Sequence, residues 1–294
     1  MDFYSFAEAN GLLIRDLVGD GKIHRCPTQA KPRSDNGAYM LNQDRGWIMD
    51  WAAGDHVLWW HDERAAPWTE AQKREARKKA SAGALEKAKR QRLAGLQAIR
   101  LIGDATLLIP CAGRAWRPGR PAVEAIPAHP YLVRKGFPME LGFVDGEDLL
   151  IPMFDAQEYG QPIGLQRINP AGEKKFLPGM RAKGAVHRFG TGRARETWLC
   201  EGYATALSVR AALKALYREA DVIACFSAGN MTHVASLGIG THCMADHDKS
   251  GAGEDAAQAT GLPYAMPGTL GFDANDVHCA DGLGAVVALV ARRI

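Results

Sequence analysis

With 294 residues, 47% of them hydrophobic, the chain is long enough to bury the cores of two globular domains and too apolar to be intrinsically disordered. Its formal charge of +3 is unevenly spread: residues 64–100 hold 11 Lys/Arg against 3 Glu, which leaves the remainder net acidic. No run of about 18 apolar residues occurs, so no membrane-spanning helix is expected.

The chain opens with MDFYSFAEANGLLIRDLVGDG, which lacks the basic n-region and long apolar h-region of a signal peptide. A short amphipathic helix is expected over Phe3 to Asn10. GAYMLN and GWIMDW then alternate apolar and polar residues at the period of half-buried strands, with DRG as the hairpin turn between them. Residues 1–62 therefore read as a small β-rich module. Its aromatics Tyr39, Trp47 and Trp51, beside Lys31 and Arg33, either pack a small core or stack single-stranded bases. Trp59 and Trp60 are expected to anchor that core.

Residues 63–110 form a basic helical linker. Thr69 caps it, strong helix formers fill it, and apolar residues become regular only from Leu85 through Leu93, Leu96 and Ile99. Its first half is thus a solvated helix, either a plain surface linker or a contact for nucleic-acid phosphates. Residues 111–196 make a second compact region, in which LLIPMFDAQEYGQPIGLQRIN reads as two strands around a polar turn, followed by GEKKFLPGMRAKGAVHRF. Its cations Arg167, Lys174, Lys175, Arg181 and Lys183 gather on strand ends and loops, where binding residues are commonly found.

From residue 197 to 294 short apolar runs alternate with helices. TWLCEG, VIACFS, THCMAD and LPYAM are strands, and ATALSVRAALKALY is a helix with Ala206, Val209, Leu213 and Leu216 on one face. MTHVASLG, a segment from Ala252 and LGAVVALVARR are further helices, and GFDANDVHCAD is a loop. The alternation predicts an α/β domain whose parallel sheet is covered on both faces, with ligands bound beyond the carboxyl ends of its strands.

Glu201 and Asp246 each end such a strand. Asp246 and Asp248 are one residue apart, so an extended backbone points both to one side and His247 to the other. Converging carboxylates repel unless a cation sits between them, and oxygen donors select Mg²⁺ or Mn²⁺ over zinc. Asp273 and Asp276 are further candidates from the following loop, while Gly251 and Gly253 give room for close approach to phosphate. Such a cluster suits phosphoryl transfer. The six cysteines, Cys26, Cys111, Cys200, Cys225, Cys243 and Cys279, contain no CxxC pair and read as buried, reduced thiols of a cytoplasmic protein.

LCEGYATALS followed by MADHDKSGAGEDAA resembles the Toprim domain of primases, topoisomerases and related nucleases, with a Glu-Gly after the first strand and Asp-x-Asp after a later one. FDANDV resembles the acidic segment that follows in bacterial and phage replicative primases, and residues 149–179 resemble the basic strand pair that precedes Toprim there. The resemblance covers residues 131–294. It implies a metal-dependent nucleotidyltransferase that makes short RNA primers on single-stranded DNA from nucleoside triphosphates, in phage or plasmid replication. On that reading Glu201, Asp246 and Asp248 are catalytic and hold Mg²⁺ or Mn²⁺, with Asp276 as a further ligand, and Arg167, Lys174, Lys175, Arg181 and Lys183 bind nucleotide or template.

The sequence departs from the family in two places. The four-ligand zinc module common in these primases is missing, since Cys26 stands alone in HRCPTQAKPRSDNGAY, so no zinc is expected and the first module is a zinc-free relative. No GxxxxGKS/T phosphate loop occurs, so either a separate replicative helicase is a partner or priming proceeds without one. A Toprim nuclease and a non-catalytic nucleic-acid-binding accessory protein are the competing readings.

Overall fold

In the computed structural model, which describes residues 1–50, 57–65, 67–109, 114–116, 123–124 and 128–291, the chain divides into two units, residues 1–81 and 82–294. In the first, helix α1 (Phe3–Ala9) accompanies an antiparallel sheet in the order β1 (Asp20–Cys26), β2 (Gly37–Asn42), β3 (Arg45–Asp50) and β4 (Val57–His61). Asp2 starts α1 by accepting from the Ser5 N–H at 2.7 Å. Phe3 then packs on Tyr39 and Trp60, with ring centroids 6.0 and 5.5 Å away. Gly46 makes room for it, because a Cβ there would stand 2.5 Å from the Phe3 ring.

Several expectations for this unit are corrected. The hairpin turns at Gln43–Asp44, with Gln43 in the left-handed region (φ 54°), while Arg45 and Gly46 of the expected DRG turn already pair in β3. Trp60 anchors the core, but Trp59 faces outward at 72% exposure, because alternation along β4 sends the two rings to opposite sides. Tyr39 is buried and its hydroxyl lies between the Val18 N–H and the Asp16 carbonyl, so it presents no face to a base. Lys31 and Arg33 are exposed, Trp47 is half-buried on β3, and Trp51 lies outside the described residues.

Helix α2 (Glu70–Asp104) starts as expected: Thr69 accepts from the Gln72 N–H, and the Gln72 side chain accepts from the Thr69 N–H at 2.9 Å. Its first half is exposed. Ala94 and Ala98, further along, are small enough to let the helix lie against Leu150, Leu165 and Leu177.

In the second unit one mixed sheet runs β16-β15-β13-β14-β12-β9-β8-β5-β6-β7, with β10 paired to β9 and β11 to β10. The short strands β5 (Thr106–Ile109), β6 (Arg114–Trp116), β7 (Val123–Glu124) and β8 (Gly142–Asp145) are antiparallel, as are β9 (Asp148–Asp155), β10 (Gly164–Ile168), β11 (Lys174–Phe176) and β12 (Ala185–Phe189). Helix α3 (Pro130–Arg134) precedes β8, with His129 as its cap and Pro130 at its first position. The last strands, β13 (Glu196–Cys200), β14 (Ala220–Ala224), β15 (His242–Met244) and β16 (Tyr264–Ala265), are mutually parallel. Because β12 pairs with both β9 and β14, the basic strands and the C-terminal layer share one sheet.

Alternation along the parallel strands builds two cores. Trp198, Cys200, Val222, Ala224 and Met244 face helices α4 (Tyr203–Ala215), α7 (Ala274–Asp281) and α8 (Leu283–Ala291). Leu199, Ile223, Cys225, Cys243 and Ala245 face α5 (Ala228–Ser236) and α6 (Ala252–Ala259). Both sheet faces are thus covered, as the βα alternation requires. Each fully buried Val, Leu, Ile or Met among them contributes about 1.5–3 kcal/mol. Ala206, Val209 and Leu213 do form the buried face of α4. The expected loop GFDANDVHCAD is instead largely helix α7, and Cys279 on it is exposed, unlike the buried Cys26, Cys200, Cys225 and Cys243; Cys111 lies outside the described residues.

Candidate active site

The parallel strands stop where their apolar alternation gives way to carboxylates, and a buried carboxylate is costly unless something balances it. Glu201 follows β13 directly, and its carbonyl accepts from the Phe226 N–H at 2.7 Å, which fixes its main chain. Asp246 lies two residues beyond β15. Its Oδ1 is buried without a hydrogen-bond partner among the described residues, whereas buried polar atoms of folded proteins usually have one.

Burial pushes the Asp246 carboxyl up to about 8, and the negative charges of Glu201, Asp273 and Asp248 act in the same direction. Glu201 is raised as well, first by burial and then by the charge of Asp248. Lys174 opposes both shifts. Carboxylates from three separate segments, with one lysine, therefore share a local field beyond the strand ends.

Asp248 differs from its neighbour two residues away. Burial raises its proton affinity, but hydrogen bonds outweigh that and leave it below the ordinary carboxylate range. Oδ1 accepts from the Ser250 N–H at 2.7 Å, and Oδ2 from the Gly253 N–H at 2.7 Å. Asp248 thus both faces the cluster and ties down the turn into α6. The His247 main chain bridges to Phe272, and its Nδ1 is buried without a partner among the described residues. Gly253 makes no room for phosphate: its missing Cβ would sit 2.2 Å from the Asp246 carbonyl, so it lets α6 start against the Asp246 main chain. Gly251 begins α6 in the left-handed region (φ 76°) with open space around its Cβ position.

Asp276, expected as a ligand, has other partners. It closes the capping box of α7, accepting from the Asp273 N–H at 3.1 Å, and lies 3.6 Å from Lys135 Nζ. The charge from this segment that bears on Glu201 and Asp246 is that of Asp273, the N-cap residue.

The expected cations are distributed by strand register. Arg167 pairs with Lys175 and Ile168 with Lys174 across β10 and β11, so the two lysines point to opposite faces. Ile168 lies in the core that includes Tyr131, and Lys174, on the same face, approaches the Tyr131 ring at 6.0 Å. Arg167 shares the other face with Leu165, which packs beneath α2, and donates to Asp148 at 2.9 Å and Asp145 at 2.8 Å. Register therefore separates Arg167 and Lys175 from the acids. Arg181 is ion-paired to Asp155, and Lys183 is exposed in the turn before β12.

No group of three or more His, Cys, Asp or Glu side chains among the described residues is arranged as a ready metal cage. That is compatible with Mg²⁺, which commonly uses one or two carboxylates, several waters and substrate phosphates instead of an all-protein cage. The orphaned, buried Asp246 oxygen and the mutually repelling acids fit such a hard cation.

Three side chains at the site carried no sequence motif. The Tyr131 hydroxyl is buried without a partner among the described residues, within the field of Asp273. Phe176, two residues after Lys174, meets Phe226 edge to face. Only the alternation in KKF, which puts Lys174 and Phe176 on one side, offered a signal for any of them.

No family model matches the sequence. Among solved structures the chain is similar to the primase fragment of the bacteriophage T7 primase-helicase protein, at 18% identity over 54% of this chain and 69% of that one, with a TM-score of 0.38. It is similar to a chain of the assembly in which T7 lagging-strand DNA polymerase interacts with primase domains bound to an RNA/DNA hybrid and dTTP, at 16% identity over 52% and 81%, with a TM-score of 0.37. It also matches a DNA primase domain from Pseudomonas aeruginosa, at 14% identity over 55% of this chain and 58% of that one, with a TM-score of 0.33.

Proposed function

We propose that the chain is a primase-type nucleotidyltransferase, joining nucleoside triphosphates into short primers on a single-stranded DNA template at the Glu201–Asp246 cluster. The observation that carries this reading is the buried, unpartnered Asp246 oxygen, set among the charges of Glu201, Asp248 and Asp273 with Lys174 opposing them. A fold keeps such repulsion where a cationic ligand relieves it. Asp246 and Glu201 would hold a divalent cation, which when bound neutralises triphosphate charge and stabilises the attacking and leaving oxygens. Glu201, tied through its carbonyl to the Phe226 N–H, is the metal-proximal carboxylate that would accept a proton from the attacking hydroxyl. Lys174 supplies positive charge for the triphosphate from the facing strand, and Asp248 keeps the loop around Asp246 in shape.

Incorporation of labelled ribonucleotides on single-stranded DNA tests the proposal. Wild type should give short products, and Glu201→Gln or Asp246→Asn should lower the yield at least ~100-fold, the scale on which a directly acting group contributes. Template degradation with no synthesis would favour the nuclease reading. DNA binding without turnover, unchanged in both variants, would favour an accessory role.

A further inference from the structure

Beside the acids lies a pair of aromatic rings that the proposed chemistry does not use. Phe226 follows β14 with φ 68°, a backbone conformation that a bulky side chain adopts rarely and at a cost. The 2.7 Å bond from its N–H to the Glu201 carbonyl holds it there, so the strained residue is tied to the residue that carries the central acid. Its ring meets Phe176 at a centroid distance of 6.2 Å and an interplanar angle of 83°. An edge-to-face pair leaves ring faces open to a third partner. Phe176 is 39% exposed on the three-residue edge strand β11, which has no neighbour beyond it among the described residues. It stands on the same side of that strand as Lys174, whose charge reaches Glu201 and Asp246.

We propose that Phe176, buttressed by Phe226, is a nucleobase-stacking platform that positions the base whose phosphates face Lys174 and the acids. The order along one face of β11, cation and then aromatic, matches the order of phosphate and base in a nucleotide. Nothing in the aromatic pair selects one base, since every base offers a π-face. The base belongs either to a nucleoside triphosphate or to a nucleic-acid strand. The inference rests on the primase reading only in expecting nucleotides at this site.

The test measures binding apart from synthesis, on the full chain, with four probes: ATP, inorganic tripolyphosphate, a thymidine oligonucleotide and an abasic oligonucleotide of equal length. Phe176→Ala should weaken at least one base-bearing probe about 10-fold and leave its base-free counterpart within about twofold, while Phe176→Trp retains affinity. Weakening confined to ATP assigns the platform to the incoming nucleotide, and weakening confined to the thymidine oligonucleotide assigns it to the strand. Phe226→Gly, which removes the ring and relieves the backbone, should show the same selective loss. Unchanged affinities in Phe176→Ala, equal losses for base-bearing and base-free probes, or no binding of a base-bearing probe by wild type would each overturn the inference. Ring-dependent binding with no primer synthesis by wild type would overturn the proposed function and leave the platform standing.

Discussion

Two charged clusters, one on the antiparallel strands and one beyond the ends of the parallel strands, follow opposite rules. Beneath α2, Arg167 donates to both Asp145 and Asp148 at ordinary hydrogen-bonding distance, so the charges there are matched within the fold. Beyond the parallel strands, Asp246 keeps a buried oxygen with no partner while Glu201, Asp248 and Asp273 add charge of the same sign. A matched cluster is what stability alone would select, whereas an unmatched one costs stability and needs a ligand to balance it. The basic strand pair takes part in both clusters, and the one-residue step from Arg167 to Ile168 decides which cation serves which.

Among the cations, the largest effect is expected where one offsets the unmatched side. Lys174→Ala should lower primer synthesis by ~10–100-fold, mainly through a raised KM for the triphosphate, and the split between KM and kcat in steady-state assays checks this.

Next comes the cost of the orphan carboxyl itself. The Asp246 carboxyl rises from 3.8 to about 8 in the fold. The folded state therefore holds more protons than the unfolded one between those values, and stability falls as pH climbs through that window. In divalent-free buffer Asp246→Asn should remove this slope and raise the Tm at pH 8 by about 5 °C, with little change at pH 4. Thermal melts across that range read it out, and an Asp246→Asn protein less stable than wild type at pH 8 would contradict it.

The smallest effect belongs to the matched side. Arg167→Ala should destabilise by about 1–2 kcal/mol, a value discounted for partial exposure, and lower the Tm by about 2–4 °C. Lys175→Ala, on the same face, should leave nucleotide affinity within about twofold. A selective collapse of nucleotide binding in either variant would erase the contrast between the two clusters.

Much of this was legible in the sequence because it depends on local pattern. Short apolar runs ending in Glu201 and Asp246, each followed by a helical segment, specify strand, helix and strand end without long-range information. What escaped depended on pairing between distant segments. Strand β1 shows no clean alternation, since almost all of DGKIHRC is exposed up to Cys26, and β4 reads as an apolar cluster until its register with β3 separates Trp59 from Trp60. The sorting of Arg167, Lys174 and Lys175 follows from the register of β10 with β11, which composition does not encode. The exchange of Asp276 for Asp273 was within reach: an acidic residue three positions after Asp273 is a capping-box signature, and it marks α7 where a loop was expected. Phe176 and Phe226 come together from segments 50 residues apart, and no local pattern announces their contact.

Binding of Mn²⁺ as a spectroscopic stand-in for Mg²⁺, followed by the protein-dependent loss of the free-ion electron paramagnetic resonance signal in the absence of nucleotide, tests the central claim most directly. The wild-type chain should capture the ion, and both Glu201→Gln and Asp246→Asn should lose that capture while remaining folded. Equal capture by the folded variants would contradict the assignment of Glu201 and Asp246 as the centre of the site.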